Sequence, residues 1–410
     1  MITYRARWVL PIASPPIRNG WVAVDNGRIE AVGKDRRSVP RPSSAADVDL
    51  GRVALLPGLV NAHTHLELCW LAGAVPAATR FTDWLRAMMS RRREQSDPAS
   101  PVILDPLRHG IQSMHASGVA LVGDVSNTLV SVSVLAEAEQ AAAVFYELIR
   151  FRNAEADSVM TAAAEKLATL PGDGRVRVSL AAHAPYSVSP RLFQRVAEDT
   201  RRRPEARTTV HLGESPEEVE LLATGQGPWR GFLESLGAWD ESWTAPECDP
   251  VEYLDRMGVL GPSLLAVHAV QLSQSALDRL VARGVSLVTC PRSNRYVGVG
   301  DPPVSRFYES GAAVAIGTDS LASAPDLSIW PELARLHELA PDVPASRLLD
   351  SATRIGAYAL GFGAELGTIE PGKRAALIAV ALPSDTDDVE TVLVEGVESS
   401  QVSWVEEGRA

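Results

Sequence analysis

Short apolar runs punctuate the middle of the chain, and each is followed by a longer stretch with apolar residues at helical spacing. The runs are ALLPGLVNAHTH, VALVGDVSN, AAVFYELIRF, VRVSLAAHAPYS, TTVHLGES, LLAVHAV, VSLVTCPRSN and AAVAIGTDS, eight in all. Runs this short and this apolar read as strands buried on both faces. Segments such as ILDPLRHGIQSMHASG, SVMTAAAEKLATL, PRLFQRVAEDTRRR and QSALDRLVARG separate them and read as helices. Eight buried strands joined by helical crossovers predict an α/β fold, a (β/α)8 TIM barrel over residues 57–368. Reacting groups in such a barrel gather where the strands end, at its C-terminal face.

The two ends of the chain have a different pattern. WVAVDNGRIEAVG alternates apolar and polar residues and turns at Asn26-Gly27, a strong hairpin signal. LGTIEPGKRAALIAV and ETVLVEGVES read as strand, Gly/Pro turn, strand. Neither end has long helical periodicity. Residues 1–56 and 369–410 are therefore expected to pair into one small β-sandwich domain.

Candidate chemistry sits at the ends of the predicted barrel strands. In PGLVNAHTH, His63 and His65 are two apart, and an extended strand points both side chains the same way. Two imidazoles converging from one face make half of a transition-metal site; a satisfied histidine pair in a turn has the same spacing. His183, His211 and His268 close the fourth, fifth and sixth runs and Asp319 the eighth, so five of the eight histidines share one rim. His109, His115 and His337 lie in predicted helices, where solvated or packed roles are expected.

Composition narrows the partners. A formal charge of -12 and a pI near 5.2 argue against nucleic acid or an anionic membrane, which leaves a small-molecule substrate. Cys69, Cys248 and Cys290 are too few and too scattered for a disulfide framework or a zinc knuckle. No apolar run approaches the ~20 residues that span a bilayer, and the start shows no small-residue cleavage pattern. Cytoplasm is the expected address. At 410 residues two or three domains are allowed, and homo-oligomerisation is left open.

Taken in order, PGLVNAHTH at 57–65, HAPYSVS at 183–189, HLGE at 211–214, His268, CPRSN at 290–294 and GTDS at 317–320 resemble the amidohydrolase superfamily. The resemblance covers essentially the whole chain. It is to the branch holding cytosine, guanine, adenosine-like and S-adenosylhomocysteine deaminases, with triazine chlorohydrolases as relatives. It implies a metal held by His63, His65, His211 and Asp319, a donor set that suits Zn²⁺, with Fe²⁺ or Mn²⁺ also accepted. Two-metal members carry a carboxylated lysine at the end of the fourth strand. This chain has only Lys34, Lys166 and Lys373, and none falls there, so one divalent ion per chain is expected. The resemblance gives Glu214 the proton shuttle, although Ser215-Pro216 just after it reads as a helix start that Glu214 could cap. It gives His268 a bond to the attacking water, Asp319 a share in orienting it, and His183 a contact with substrate.

The implied reaction is hydrolytic deamination of an aminated ring, with no organic cofactor. HTHLELCWL, FTDWLRAMMSRRRE, ELIRFR and CPRSN look most like aminodeoxyfutalosine deaminases of menaquinone synthesis, whose substrate is an adenine nucleoside carrying a benzoate. Arg150, Arg152 and Arg292 are candidates for its carboxylate, because arginine offers a bidentate fork. Glu67 is a candidate for the ribose hydroxyls, and Trp84 and Trp70 for stacking on the substrate. Arg292 departs from the small residue usual in S-adenosylhomocysteine deaminases. The alternatives are a deaminase of S-adenosylhomocysteine, 5′-methylthioadenosine or guanine, and a triazine-type hydrolase. A non-enzymatic barrel would have lost ligands, and none is missing.

Overall fold

The computed structural model describes residues 1–34, 46–170, 174–383 and 386–405; residues 35–45 and 406–410, expected in the β-sandwich portions, lie outside them. Strands from both chain ends share one seven-stranded sheet. They are β1 (Ile2–Val9), β2 (Ile17–Asp25), β3 (Arg28–Gly33), β4 (Ala46–Asp49) and β5 (Val53–Pro57), joined by two late strands described below. Asn26 and Gly27 turn β2 into β3 with φ of 48° and 71°, the left-handed pair that a tight hairpin needs.

The run ALLPGLVNAHTH is divided rather than continuous. β5 belongs to the end sheet, and after Gly58 the chain enters the barrel as β6 (Leu59–Thr64). The other barrel strands are β7 (Val119–Ser126), β8 (Ala141–Leu148), β9 (Val176–Ala182), β10 (Thr208–Leu212), β11 (Leu264–His268), β12 (Ser286–Thr289) and β13 (Ala313–Ile316). β6 to β9 form one parallel four-stranded sheet and β10 to β13 another. Two seams join them into the barrel. The His211 amide donates to the His183 carbonyl at 2.8 Å, and the amides of Thr318 and Asp319 donate to the His63 carbonyl at 3.1 and 3.0 Å. Gly317 is what allows the second seam, because a Cβ there would lie 2.7–2.9 Å from atoms of His63.

Strand alternation sends Val60, Leu121, Phe145, Leu265 and Val288 into one buried cluster, together with Leu360 and Phe362 from the segment after the last barrel strand. Beyond this filling, the strand ends are free to carry polar side chains. The late strands are β14 (Leu377–Ala381), antiparallel to β5, and β15 (Val402–Trp404), antiparallel to β14.

One predicted strand is a helix. Residues Val389–Glu395, which take in the first six residues of ETVLVEGVES, are helical, begun by Asp388, whose side chain accepts from the Thr391 amide. They bury Val389, Leu393 and Val394 and pack on the helices Ile329–Leu339 and Ala345–Asp350. Packing of that helical face overrides the strand preference of its β-branched residues. Among the described residues no helix is long and apolar enough to cross a membrane.

Candidate active site

The structure brings His63, His65, His183, His211, His268, Glu214 and Asp319 to one end of the barrel. The His63 ring lies 4.9 Å from that of His65, 5.1 Å from His211 and 5.7 Å from His268, centroid to centroid. Asp319 Oδ1 is 3.9 Å from His63 Nε2 and 3.6 Å from His65 Nε2. Within the set His63, His65, Asp319, and within the set His63, His211, His268, the ligand atoms all lie within 4.8 Å of one another. Either set could hold a metal ion, and so could Glu147, His183 and His211, whose ligand atoms lie equally close.

Two observations bear on that fit. His63 Nε2 is buried and has no hydrogen-bond partner among the described residues. A buried unpaired ring nitrogen is costly, and a metal ligand bond would satisfy it. Burial, then the neighbouring imidazoles, also pushes His63 well below the usual imidazole range; burial does the same for His211. Neutral imidazole is the form that binds metal. His268 and Asp319 hold their backbones at φ of 75° and 60°, local strain of the kind concentrated at functional sites.

Each side chain is oriented by a second contact. His211 Nδ1 donates to the His183 carbonyl at 3.1 Å, which leaves its Nε2 lone pair free. His268 Nδ1 bonds to Asn294 Oδ1 at 2.8 Å, and its Nε2 lies 3.6 Å from Glu214 Oε1. Asp319 Oδ2 accepts from the hydroxyls of Ser293 at 2.6 Å and Ser323 at 3.2 Å. Glu214 is not a helix cap. Ser215 caps the helix Pro216–Thr224, while the buried Glu218 carboxylate accepts the amides of Gly213 and Glu214 at 3.0 and 3.1 Å. Burial, with Asp319 and Glu218 nearby, pushes the Glu214 carboxyl well above its ordinary range.

A cavity of about 480 Å³ opens from this cluster. Its polar lining includes His65, Asn127, Glu147 and His183; its wall is apolar, with Met88, Trp229 and Phe232. Glu214, His268 and Asp319 are buried and are not among the residues that line it. Arg150 and Arg152 line the cavity but are about half exposed, and both lie within ion-pair reach of Glu155, at 3.4 and 3.8 Å.

Four expected substrate contacts lie elsewhere. Arg292 is held by Asp326 through two nitrogens and by the fully buried Glu332 at 2.7 Å, and it does not line the cavity. Its fork is already filled by two carboxylates of the fold. Glu67 is buried and accepts from Arg92 at 2.5 Å, from Ser126 at 2.9 Å and from the Thr128 hydroxyl at 2.6 Å, so no acceptor is left for ribose. Trp84 is a core residue stacked on Phe81, and Trp70 packs on the core beside Glu67. The aromatic residues on the cavity are instead Phe151, Tyr186, Trp229 and Phe232, of which Tyr186 and Trp229 stack with centroids 3.7 Å apart.

Glu147, Asn127 and Arg92 reach the cavity without having been singled out in the sequence. Glu147 could have been found. It follows Ala143 and Phe145 on the inward face of β8, and an acid on that face at the C-terminal end of a barrel strand marks the rim. Asn127 and Arg92 are in a loop and a helix, where no periodicity marks them.

Known proteins share this architecture. A 5-methylthioadenosine/S-adenosylhomocysteine deaminase of Syntrophobacter fumaroxidans is 30% identical over 380 residues, 88% of this chain and 80% of that one. An aminodeoxyfutalosine deaminase of Deinococcus radiodurans is 29% identical over 356 residues, 83% of this chain and 81% of that one. The crystal structure of an adenosine deaminase from Xanthomonas campestris with bound zinc superposes with a TM-score of 0.82 at 28% identity, covering 98% of this chain and 90% of that one. The family profile for amidohydrolases matches residues 54–400, from β5 through the barrel to the last helical segments. With the strand-end histidines and Asp319 on one rim of a parallel barrel, this chain belongs to the amidohydrolase family.

Proposed function

We propose that the protein is a metal-dependent hydrolytic deaminase of a 6-aminopurine nucleoside, releasing ammonia. One observation carries the reading: a buried carboxylate, Glu214, lies 3.6 Å from His268 beside a His/Asp cluster at the inner end of a nucleoside-sized cavity. The three relatives described above, all deaminases by name and two of them of adenosine compounds, support it.

His63, His65, His211 and Asp319 would hold a divalent ion, zinc by its nitrogen-rich donor set, with iron or manganese as alternatives. Such an ion supplies a water acidified to a pKa of ~7. Glu214 accepts the proton of the attacking water and delivers it to the ring nitrogen beside the carbon under attack. His268 Nε2, fixed by Asn294, and Asp319, fixed by Ser293, orient the nucleophile and pass its second proton on to the amino group, whose bond to carbon then breaks to release ammonia. His183, tied through Nδ1 to Ser187 Oγ at 2.5 Å, keeps Nε2 for the substrate. Lys166 Nζ donates to the Thr128 carbonyl and Lys373 Nζ to that of Gly363, so neither supports a second ion. Metal analysis of protein made without added metal should give one tightly held ion per chain. Two would overturn that assignment.

Aminodeoxyfutalosine is the substrate we favour, with its benzoate toward Arg150 and Arg152 and its aromatic ring against the apolar wall. Because both arginines are half exposed and near Glu155, the carboxylate should add only ~1 kcal/mol, a two- to fivefold preference over adenosine. A second reading, S-adenosylhomocysteine or 5′-methylthioadenosine, is favoured by the same mouth, since an acid between two cations suits an amino-acid tail. Comparing kcat/KM for aminodeoxyfutalosine, adenosine, 5′-methylthioadenosine, S-adenosylhomocysteine and guanine decides among them. Arg150→Met or Arg152→Met should erase the preference for the acidic substrate and leave adenosine nearly unchanged. Activity confined to guanine or a triazine would discard the nucleoside reading.

A further inference from the structure

We infer that Glu147 is a substrate-contacting residue that receives the ribose hydroxyls, in place of Glu67; this rests on the nucleoside reading above. Glu147 ends β8, lines the cavity beside His183, and has a side chain only 4% exposed. One of its two oxygens is spent. Oε2 accepts from Asn127 Nδ2 at 2.8 Å, and Asn127 Oδ1 in turn accepts from Arg92 at 3.0 Å. Arg92 is anchored by its other terminal nitrogen to Glu67. Glu67 thus braces the chain that holds Glu147 still.

The other oxygen is available. Oε1 accepts no hydrogen bond among the described residues and lies 3.5 Å from His211 Nδ1, whose proton already goes to the His183 carbonyl. A buried carboxylate with an open acceptor beside a cavity is costly unless a ligand supplies a donor. A hydroxyl suits it, because O–H to carboxylate bonds are short and strong. His183 Nε2 next to it completes a pair of polar groups on one floor.

Position selects the ribose rather than the reacting amino group. Glu147 and His183 belong to β8 and the end of β9, whereas Glu214, His268 and Asp319 belong to the wall built from β10 to β13. A ligand with its amino end at that second wall presents its sugar to the first. Free bases and triazines have no hydroxyl to offer here.

The test compares adenosine with 2′,3′-dideoxyadenosine. The unaltered protein should prefer adenosine at least ~10-fold in kcat/KM, the scale of a hydrogen bond to a charged group. In Glu147→Gln the preference should fall to within about threefold, through loss on adenosine alone. Metal content of that variant should stay at the unaltered value. Calorimetric binding of both nucleosides to Glu214→Gln protein, in which turnover is strongly slowed, should show the same preference. Equal rates for the two nucleosides in the unaltered protein overturn the assignment while leaving the deaminase intact, and need no variant. An equal fall on both substrates in Glu147→Gln, or lost metal, would mean that Glu147 acts through His211 instead. Neither binding nor turnover of either nucleoside would discard the nucleoside reading and this assignment together.

Discussion

Replacing Glu214 with glutamine leaves the metal content unchanged and lowers turnover at least ~100-fold, the range lost with a general acid-base. Glutamine keeps the size of the side chain and can still bond to a substrate, but it cannot take a proton from water and pass it on. The surrounding loop should survive, because the Glu214 backbone is held by Glu218 and the helix is capped by Ser215. The side chain is 3.6 Å from His268 and belongs to none of the sets of clustered metal-ligand atoms, so binding of the ion should not depend on it. Measuring kcat beside metal content on the same preparation decides the matter. Near-normal turnover would remove the proton shuttle; lost metal would make Glu214 a ligand.

Replacing Glu332 with alanine destabilises the fold by roughly 3–5 kcal/mol, the usual loss when a buried ion pair is broken from one side. Glu332 is fully buried and Arg292 is largely so; only the partly exposed Asp326 would remain to pair with the guanidinium. The damage should reach activity. Arg292 is in the first turn of the helix Pro291–Tyr296, whose next residues are Ser293 on Asp319 and Asn294 on His268. Urea unfolding of Glu332→Ala against the unaltered protein measures the first effect, and a loss under 1 kcal/mol would refute it. Arg292→Met should lower stability too, yet keep the ratio of acidic to neutral substrate. A changed ratio would return Arg292 to the substrate.

Much of the barrel was legible because its signals are local. Strands buried on both faces must be apolar throughout, and their ends are where a barrel can afford histidine. His63 and His65 follow from strand alternation, and HLGE, HAPYS and GTDS mark the ends of their runs. Residues Val389–Glu395 were misread because a β-branched segment of seven residues suits strand or helix. Only the helices it packs against choose between them.

The side chains divide in the same way. Which residues stand at strand ends is a property of the sequence, since a period of two and a rim are enough to find them. Which carboxylate is free for a ligand is not, because it depends on partners far along the chain. Glu67 is consumed by Arg92 and Thr128, Arg292 by Asp326 and Glu332, and Trp84 by the core. Glu147 keeps an open oxygen only because the barrel brings Asn127 to one side of it and the His183 carbonyl takes the His211 proton on the other. A charged or aromatic side chain carries the same chemistry whether it meets a ligand or the fold, and hydrogen bonds between distant segments, visible only in three dimensions, decide which.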